Sequence, residues 1–319
     1  MRSREVAFVV FIVLTSTLLL AGCASQNNRA QAMIQASEIR KMMERQKAEL
    51  AREEAAAKKV PELTAAGYEE AGDRYLGQGN LDMAFVQYQK SLQLDPKQVR
   101  LRYKMGSLFL EKRMVQDAQK EFEEVLRSSP DNALAYEGLG RASLLAGQLD
   151  RAEGFLREAI RHDRTLWRAY NLLGILCDRQ DRVDEAIGYY QTAVTLRSNS
   201  GFLYNNLGVS LLLKGDNEKA VKAFREALDL DPSDSRIANN LGLALCRLGK
   251  YQEAFEAFRK TGDEASAHYN LGSVYLVQGK REEAIASFEK AIVSKPEFYA
   301  RAYERLEQAK AMGLDRRPR

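Results

Sequence analysis

The sequence has few of the residues that usually carry catalysis or bind metals. Of its 319 residues, only two are histidine and three are cysteine. His162 and His268 are too far apart for a His-x-x-x-His metal motif, and no Cys-x-x-Cys pair occurs. A Gly-x-Ser-x-Gly nucleophile motif and a glycine-rich phosphate loop are also missing. These gaps predict a protein that is not an enzyme and that uses no metal or cofactor.

An excess of charge of one sign is lacking as well. The formal net charge is +4, and 29% of the residues are charged, which is close to ordinary. No block of basic residues interleaved with aromatics occurs, so the composition disfavours nucleic-acid binding. One elongated repeat domain explains the length better than two globular domains.

What the sequence has instead is one motif that occurs seven times between Ala65 and Pro296. One copy contains Leu207-Gly208, followed by Ala220 and Phe224, and the copies recur about every 34 residues. Within a copy, apolar residues fall three or four apart, as on one face of a helix. Glycine costs about 1 kcal/mol of helix propensity, so the Leu-Gly pair predicts that the second helix of each repeat approaches closely there. In five copies another glycine ends the first helix: Gly79, Gly147, Gly215, Gly249 and Gly279.

This period and pattern resemble the tetratricopeptide repeat family. The resemblance implies an all-α fold, an α-solenoid of about seven helix pairs in which the first helices line a concave groove. It places the solenoid at 61–298, before a capping helix and basic tail at 299–319. The repeats are predicted near 65–98, 99–132, 133–166, 167–200, 201–234, 235–264 and 265–298.

The sixth copy is irregular. The interval from Leu241 to Leu271 is about four residues shorter than the others, which is about one helical turn. A shortened second helix is expected there, and a bend, a hinge and a tolerated deletion all remain open. Cys177 and Cys246 lie on first helices two repeats apart, which predicts two buried, unpaired thiols.

The beginning of the chain has the features of an export signal. Arg2 and Arg4 precede an uncharged apolar run of about 15 residues, short of the about 20 that a membrane-spanning helix needs. The run ends in Leu-Ala-Gly-Cys, which resembles a bacterial lipobox. The resemblance implies a signal peptide at 1–22, removed before Cys23, and lipid attached to that cysteine. An uncleaved anchor helix, or an ordinary signal with a chance cysteine, is the alternative.

Ala24 follows the lipidated position, and in the sorting rule of enterobacterial lipoproteins this favours the outer membrane. Residues 23–60 contain no glycine and are rich in helix-favouring Ala, Gln, Glu, Lys and Arg. We expect a charged helical spacer there, with a coiled coil, or docking onto the first repeat, as the alternative. The resulting prediction is a lipid-anchored protein on the periplasmic face of the outer membrane.

Asparagines recur just before the Leu of the Leu-Gly pair, at first-helix positions that the resemblance to tetratricopeptide repeats places in the groove. The amide side chain offers both a donor and an acceptor, so a row at repeat spacing would bind the backbone of an extended peptide. The row is similar to the asparagine ladder of the tetratricopeptide domain in O-linked sugar transferases. The alternative is that the amides only bridge adjacent helices. The predicted groove residues are Asn171, Asn205 and Asn239, their neighbours Asn206, Asn240 and Asn270, and the basic slot Arg100, Arg168 and Arg236.

A lipobox joined to a run of such repeats resembles the pilotin-like lipoproteins of type IV and tight-adherence pili. The resemblance implies a scaffold that helps a secretin or pilus complex to assemble, with a secretin or pilus subunit in the groove. An adaptor for peptidoglycan hydrolases, and a structural component of an outer-membrane biogenesis or polysaccharide export complex, are the alternatives.

Overall fold

The computed structural model describes the repeat region and a few residues before it. The predicted signal peptide, Cys23, most of the predicted spacer and the basic tail lie outside the described residues. The chain divides into two compact units, 1–64 and 65–319. In the first unit the described residues of the predicted spacer are helical, and Arg40 and Glu44 pair at 3.6 Å. The described residues are 37–38, 40–45, 48, 63–260, 262–295 and 299–311.

The second unit is built of helices alone over its described residues, which confirms the predicted all-α solenoid. Seven helix pairs follow one another, and a last helix closes the series. Odd-numbered helices are the first helices of the repeats, and even-numbered helices are the second. They are α1 Ala65–Gly77, α2 Leu81–Leu94, α3 Val99–Glu111, α4 Val115–Ser128, α5 Ala133–Leu145, α6 Leu149–His162, α7 Trp167–Arg179, α8 Val183–Leu196, α9 Gly201–Lys214, α10 Asn217–Leu230, α11 Ser235–Arg247, α12 Tyr251–Lys260, α13 Glu264–Val277, α14 Arg281–Ser294 and α15 Tyr299–Ala311.

The glycine of each Leu-Gly pair lies under a large side chain of the second helix. A Cβ on Gly208 would lie 2.6 Å from the ring of Phe224, and one on Gly174 would lie 2.6 Å from the ring of Tyr190. Both rings are fully or almost fully buried. Glycine is therefore needed for the close approach that the sequence predicts. The same arrangement joins Gly72 to Tyr88, Gly106 to Phe122, Gly140 to Leu156, Gly242 to Phe258 and Gly272 to Phe288.

The turn between the two helices of a repeat requires a left-handed residue. All five predicted turn glycines have positive φ, between 72° and 90°. The second and fourth repeats place Arg113 and Asp181 in this slot, with φ of 61° and 58°. The left-handed conformation disfavours residues that carry a Cβ, so these two turns hold local strain that the other five do not.

First helices of adjacent repeats contact one another, as α3 does with α5, α5 with α7, and α9 with α11. Second helices pack on the first helix of their own repeat and on the next first helix. The first helices therefore share one face of the solenoid, and we call this face the groove. At the C-terminal end, α15 packs on α14 through Ala302, Leu306 and Ala309, as expected of a cap.

The sixth repeat has the shortened second helix that the sequence predicts. Helix α12 has 10 residues, where the other second helices have 14. Beside it, on the side of the second helices, lies a cleft of about 400 Å³ lined by Leu228, Leu241 and Leu245. Arg225 and Glu253 form an ion pair of 2.9 Å at its rim.

Over the described residues, no helix is both long and apolar enough to span a bilayer.

Candidate functional site

The six predicted asparagines form a ladder of side-chain hydrogen bonds along the groove. In each rung, the amide of one repeat donates to the amide oxygen of the repeat before it. The sequence placed the six residues in two neighbouring slots, but did not show that they pair across repeats. The rungs are Asn206 Nδ2 to Asn171 Oδ1 at 3.0 Å, Asn240 Nδ2 to Asn205 Oδ1 at 2.9 Å, and Asn270 Nδ2 to Asn239 Oδ1 at 3.1 Å.

The ladder shows that the amides bridge adjacent helices, which is the structural alternative weighed from the sequence. Each rung uses one N–H and one oxygen lone pair, whereas an asparagine amide offers two donors and a twofold acceptor. Asn171 is buried, and the other five amides are half-buried at the groove. Bridging therefore leaves hydrogen-bonding capacity on the rungs, and contact with a partner stays a prediction.

The same two slots hold an ion pair in the first two repeats. Lys104 Nζ lies 2.6 Å from Glu69 Oε1, and 2.7 Å from Asp73 Oδ2. Between this pair and the asparagine rungs the ladder is interrupted, because the third and fourth repeats carry Gly138 and Leu172 in the donor slot. The groove therefore changes character along its length, charged at the first repeats and amide-lined at the fourth to seventh.

An apolar stripe runs beside the asparagines. Ile175, Val209 and Leu243 each follow a ladder asparagine by four residues, so they share its helix face one turn further on. The first two are half-buried and Leu243 is 41% exposed. This stripe was not predicted from the sequence, although its three members recur at the repeat period. The groove of repeats four to six thus pairs an amide row with an apolar row.

The three predicted groove arginines have different surroundings. Arg100 pairs with Glu69 at 3.3 Å, and Arg236 pairs with Asp234 at 2.7 Å. Arg168 forms no ion pair within the described residues, and its guanidinium lies 4.8 Å from the ring centroid of Trp167. All three are exposed at the same edge of the groove. The three arginines thus occupy equivalent positions, but Arg100 and Arg236 are already paired with carboxylates of the chain.

Glu137 occupies the asparagine slot of the third repeat and is buried. Tyr103 Oη donates to Glu137 Oε2 at 3.3 Å. Burial raises the pKa of the Glu137 carboxyl, against the lowering effect of the nearby Arg168 and Arg141. Burial and the Glu137 charge raise the pKa of Tyr103 to about 12. Glu137 could not be identified from the sequence, because a lone glutamate in a helix gives no sign of burial.

The thiols and potential metal ligands show no reactive arrangement in the described part of the chain. Cys177 and Cys246 are both free and buried, as the sequence predicts. Burial raises the pKa of both thiols, that of Cys246 to about 11. Over the described residues, no group of three or more His, Cys, Asp or Glu side chains is placed to hold a metal ion.

Residues 20–270 match the family model described as the cilia and flagella-associated protein 70 C-terminal domain. This match covers well over half of the chain. The chain belongs to this family of tetratricopeptide-repeat domains. A second model, the tetratricopeptide repeat itself, matches residues 265–298 of the repeat chain. A search of curated proteins found no match.

Several solved structures share the fold of this chain at low sequence identity. The Cut9–Hcn1 hetero-tetramer of the APC/C is 22% identical, with a TM-score of 0.55, over 77% of this chain and 48% of that one. PilF of Pseudomonas aeruginosa is 18% identical, with a TM-score of 0.52, over 67% and 97%. A tetratricopeptide repeat protein of Parabacteroides merdae is 15% identical, with a TM-score of 0.51, over 77% and 98%. At these identities the likeness concerns the fold.

Proposed function

We propose that the chain is a non-enzymatic scaffold that holds a segment of another protein in the groove of repeats four to six. The observation that carries the proposal is the pairing of an amide row with an apolar row on one face. Groove binding is the usual work of such solenoids. The amides hydrogen-bond a peptide backbone without demanding a sequence, and the apolar row accepts apolar side chains of the bound segment.

The spacing of the two rows suits an extended segment. Packed helices lie about 8–10 Å apart, and an extended chain rises about 3.3 Å per residue. About three residues of a bound segment therefore span one repeat. The three rungs that end at Asn206, Asn240 and Asn270 would serve a segment of about nine residues, long enough to be selective through its apolar positions.

The affinity test compares two leucines of equal exposure on opposite sides of the solenoid. Leu243 is 41% exposed in the groove, and Leu230 is 40% exposed at the end of the second helix α10. We expect Leu243→Glu to weaken partner binding by at least about tenfold, because a buried unpaired charge costs more than about 1.4 kcal/mol. Leu230→Glu is expected to change it by less than about twofold. Equal losses for the two variants would place the partner outside the groove.

A second test addresses the ladder. Changing Asn171, Asn205 and Asn239 together to Ala removes three rungs, at about 1 kcal/mol of stability each. The helical circular dichroism of the variant is therefore checked first. A folded variant that keeps full partner affinity would remove the ladder from the binding site and leave it a purely structural device.

For the location, we propose a lipid anchor at Cys23, with the chain on the periplasmic face of the outer membrane. The support is the basic start, the short apolar run and the lipobox-like ending. Several acyl chains bind a bilayer far more firmly than one, because each buried methylene adds about 0.8 kcal/mol. Cys23→Ala is expected to release the chain from membranes or block its processing. Membrane retention equal to that of the parent would contradict the anchor.

Within this class, we propose assistance to a type IV-like pilus or secretin complex. The support is the combination of a lipobox with a run of tetratricopeptide repeats. An adaptor for peptidoglycan hydrolases, and a component of a biogenesis or polysaccharide export complex, are the other candidates. Affinity capture from detergent-solubilised membranes decides among them. A captured secretin or pilus subunit supports the first proposal, a hydrolase the second, and export proteins the third.

A further inference from the structure

The only tryptophan of the chain lies at the groove edge beside two arginines. The guanidinium carbon of Arg168 is 4.8 Å from the ring centroid of Trp167, and that of Arg197 is 4.5 Å from it. Both distances are within the range of cation–π attraction. Two like charges thus contact one ring, at the start of the fourth repeat and beside its connection to the fifth.

Neither guanidinium has an ion-pair partner in the described part of the chain, and both side chains are exposed to solvent. Arg100 and Arg236, in the same slot as Arg168, each have a carboxylate within 4 Å. The charges of Arg168 and Arg141 both act on the buried Glu137 carboxyl. Over the described residues, however, no carboxylate forms an ion pair with Arg168 or Arg197.

Apolar surface lies next to these charges. The Phe202 ring packs against Trp167 with centroids 5.9 Å apart, and it is itself exposed. Leu134, in the same slot one repeat before Arg168, is also exposed. Along this edge of the groove, the third repeat thus presents apolar Leu134, the fourth presents cationic Arg168, and the fifth presents apolar Phe202. The Trp167 ring contacts the cationic part.

We propose that this cluster of Trp167, Arg168, Arg197 and Phe202 binds an acidic side chain of the held segment, with an apolar neighbour against Phe202. The inference rests on the proposed function, because it names the chemistry that one edge of the same groove selects. An Asp or Glu carboxylate pairs with an unmatched guanidinium through charge-assisted hydrogen bonds. Contact with the Trp167 ring restricts both arginine side chains and so favours such pairing. The partner segment therefore carries carboxylates interleaved with apolar residues.

The site can be tested on the full chain with a defined peptide. The probe is a six-residue peptide, Glu-Leu-Glu-Glu-Leu-Glu, acetylated and amidated so that only side chains carry charge. Binding is followed by calorimetry and by tryptophan fluorescence, which reports on Trp167 alone because the chain has no other tryptophan. We expect saturable binding that weakens with added salt, since exposed charge pairs are screened.

Variants separate this site from general attraction by positive charge. The double change Arg168→Ala with Arg197→Ala is expected to weaken binding at least tenfold. The matched control is Arg236→Ala, which removes an arginine of the same slot that is paired with Asp234, and it is expected to change binding by less than twofold. A peptide with Gln in place of Glu is expected to bind at least tenfold more weakly than the probe.

Four results would overturn the inference: no saturable binding of the probe to the parent, equal losses for the double variant and Arg236→Ala, equal binding of the Gln peptide, or tighter binding of a Gln peptide with a free C-terminal carboxylate. The last would assign the arginines to a chain terminus. Failure here is distinct from failure of the scaffold, because a partner that binds the double variant normally but not Leu243→Glu leaves the groove proposal standing.

Discussion

Adding one methyl group to two different helical glycines is expected to shift stability in opposite directions. Gly188 lies inside α8 on the surface, and a Cβ built there meets nothing within 4 Å. Gly208 lies inside α9, and a Cβ there would be 2.6 Å from the ring of Phe224, which is fully buried. Both positions are helical, so the gain from alanine propensity is shared and only the packing differs.

The magnitudes follow from that difference. Alanine is about 0.8–1.0 kcal/mol more favourable than glycine inside a helix, so Gly188→Ala should stabilise by about 1 kcal/mol. Overpacking a close-packed core costs about 1–3 kcal/mol, so Gly208→Ala should be net destabilising by about 1 kcal/mol. The two variants should therefore differ by about 2 kcal/mol, which is on the order of 1 M in the urea midpoint.

The assay is urea unfolding followed by circular dichroism, with native-state hydrogen exchange to locate the change. Stability in a solenoid is a sum over repeats and their interfaces, so the loss should be largest in α9 and α10. In a Phe224→Ala background, the cost of Gly208→Ala should shrink, because the ring that it meets is gone. A Gly208→Ala chain as stable as Gly188→Ala would refute the proposed reason for the Leu-Gly pair.

Two further changes test the turns and the buried carboxyl. Arg113→Gly is expected to raise the free energy of unfolding by about 0.5–1 kcal/mol, because the removal of about 1–2 kcal/mol of left-handed strain is partly offset by the greater entropy of glycine in the unfolded state. In the same urea assay, Gly147→Ala should destabilise the chain, because it places a Cβ in the left-handed conformation. A less stable Arg113→Gly variant would contradict the strain. Burial raises the pKa of Glu137 above 4.5, so its contribution is present below that pH and is lost as pH rises through the folded-state pKa. Glu137→Gln should therefore be more stable than the parent at pH 7, with the difference fading below pH 4.5; a difference independent of pH would mean that the charge is not its cause.

The repeat architecture could be predicted because its motif occurs seven times. The spacing of Leu207-Gly208, Ala220 and Phe224 indicates two helices, and the helix-propensity penalty of the glycine indicates that the helices pack closely at that point. The turn glycines were predictable for the same reason. Arg113 and Asp181 were not, because a left-handed residue that carries a side chain has no local signature.

The candidate site was predictable in part. The asparagine slots recur at the repeat period, so Asn171 and Asn206 could be placed in the groove from the sequence. Their hydrogen bond across repeats could not be predicted, since it depends on the distance between α7 and α9. The meeting of Trp167 with Arg197 was equally hidden, because these residues come from a helix start and from a loop 30 residues later. Tertiary distances of this kind leave no periodic trace.

On the proposed function, partner proteins contact the first helices rather than the second. A photoreactive residue placed at Leu213 tests it directly, because Leu213 follows Val209 by one turn and is exposed on the groove face. The matched position is Val293, exposed on the second helix α14. After irradiation in solubilised membranes, we expect a cross-linked partner from position 213 and none from position 293. Cross-links from position 293 alone, with the partner still bound, would contradict it.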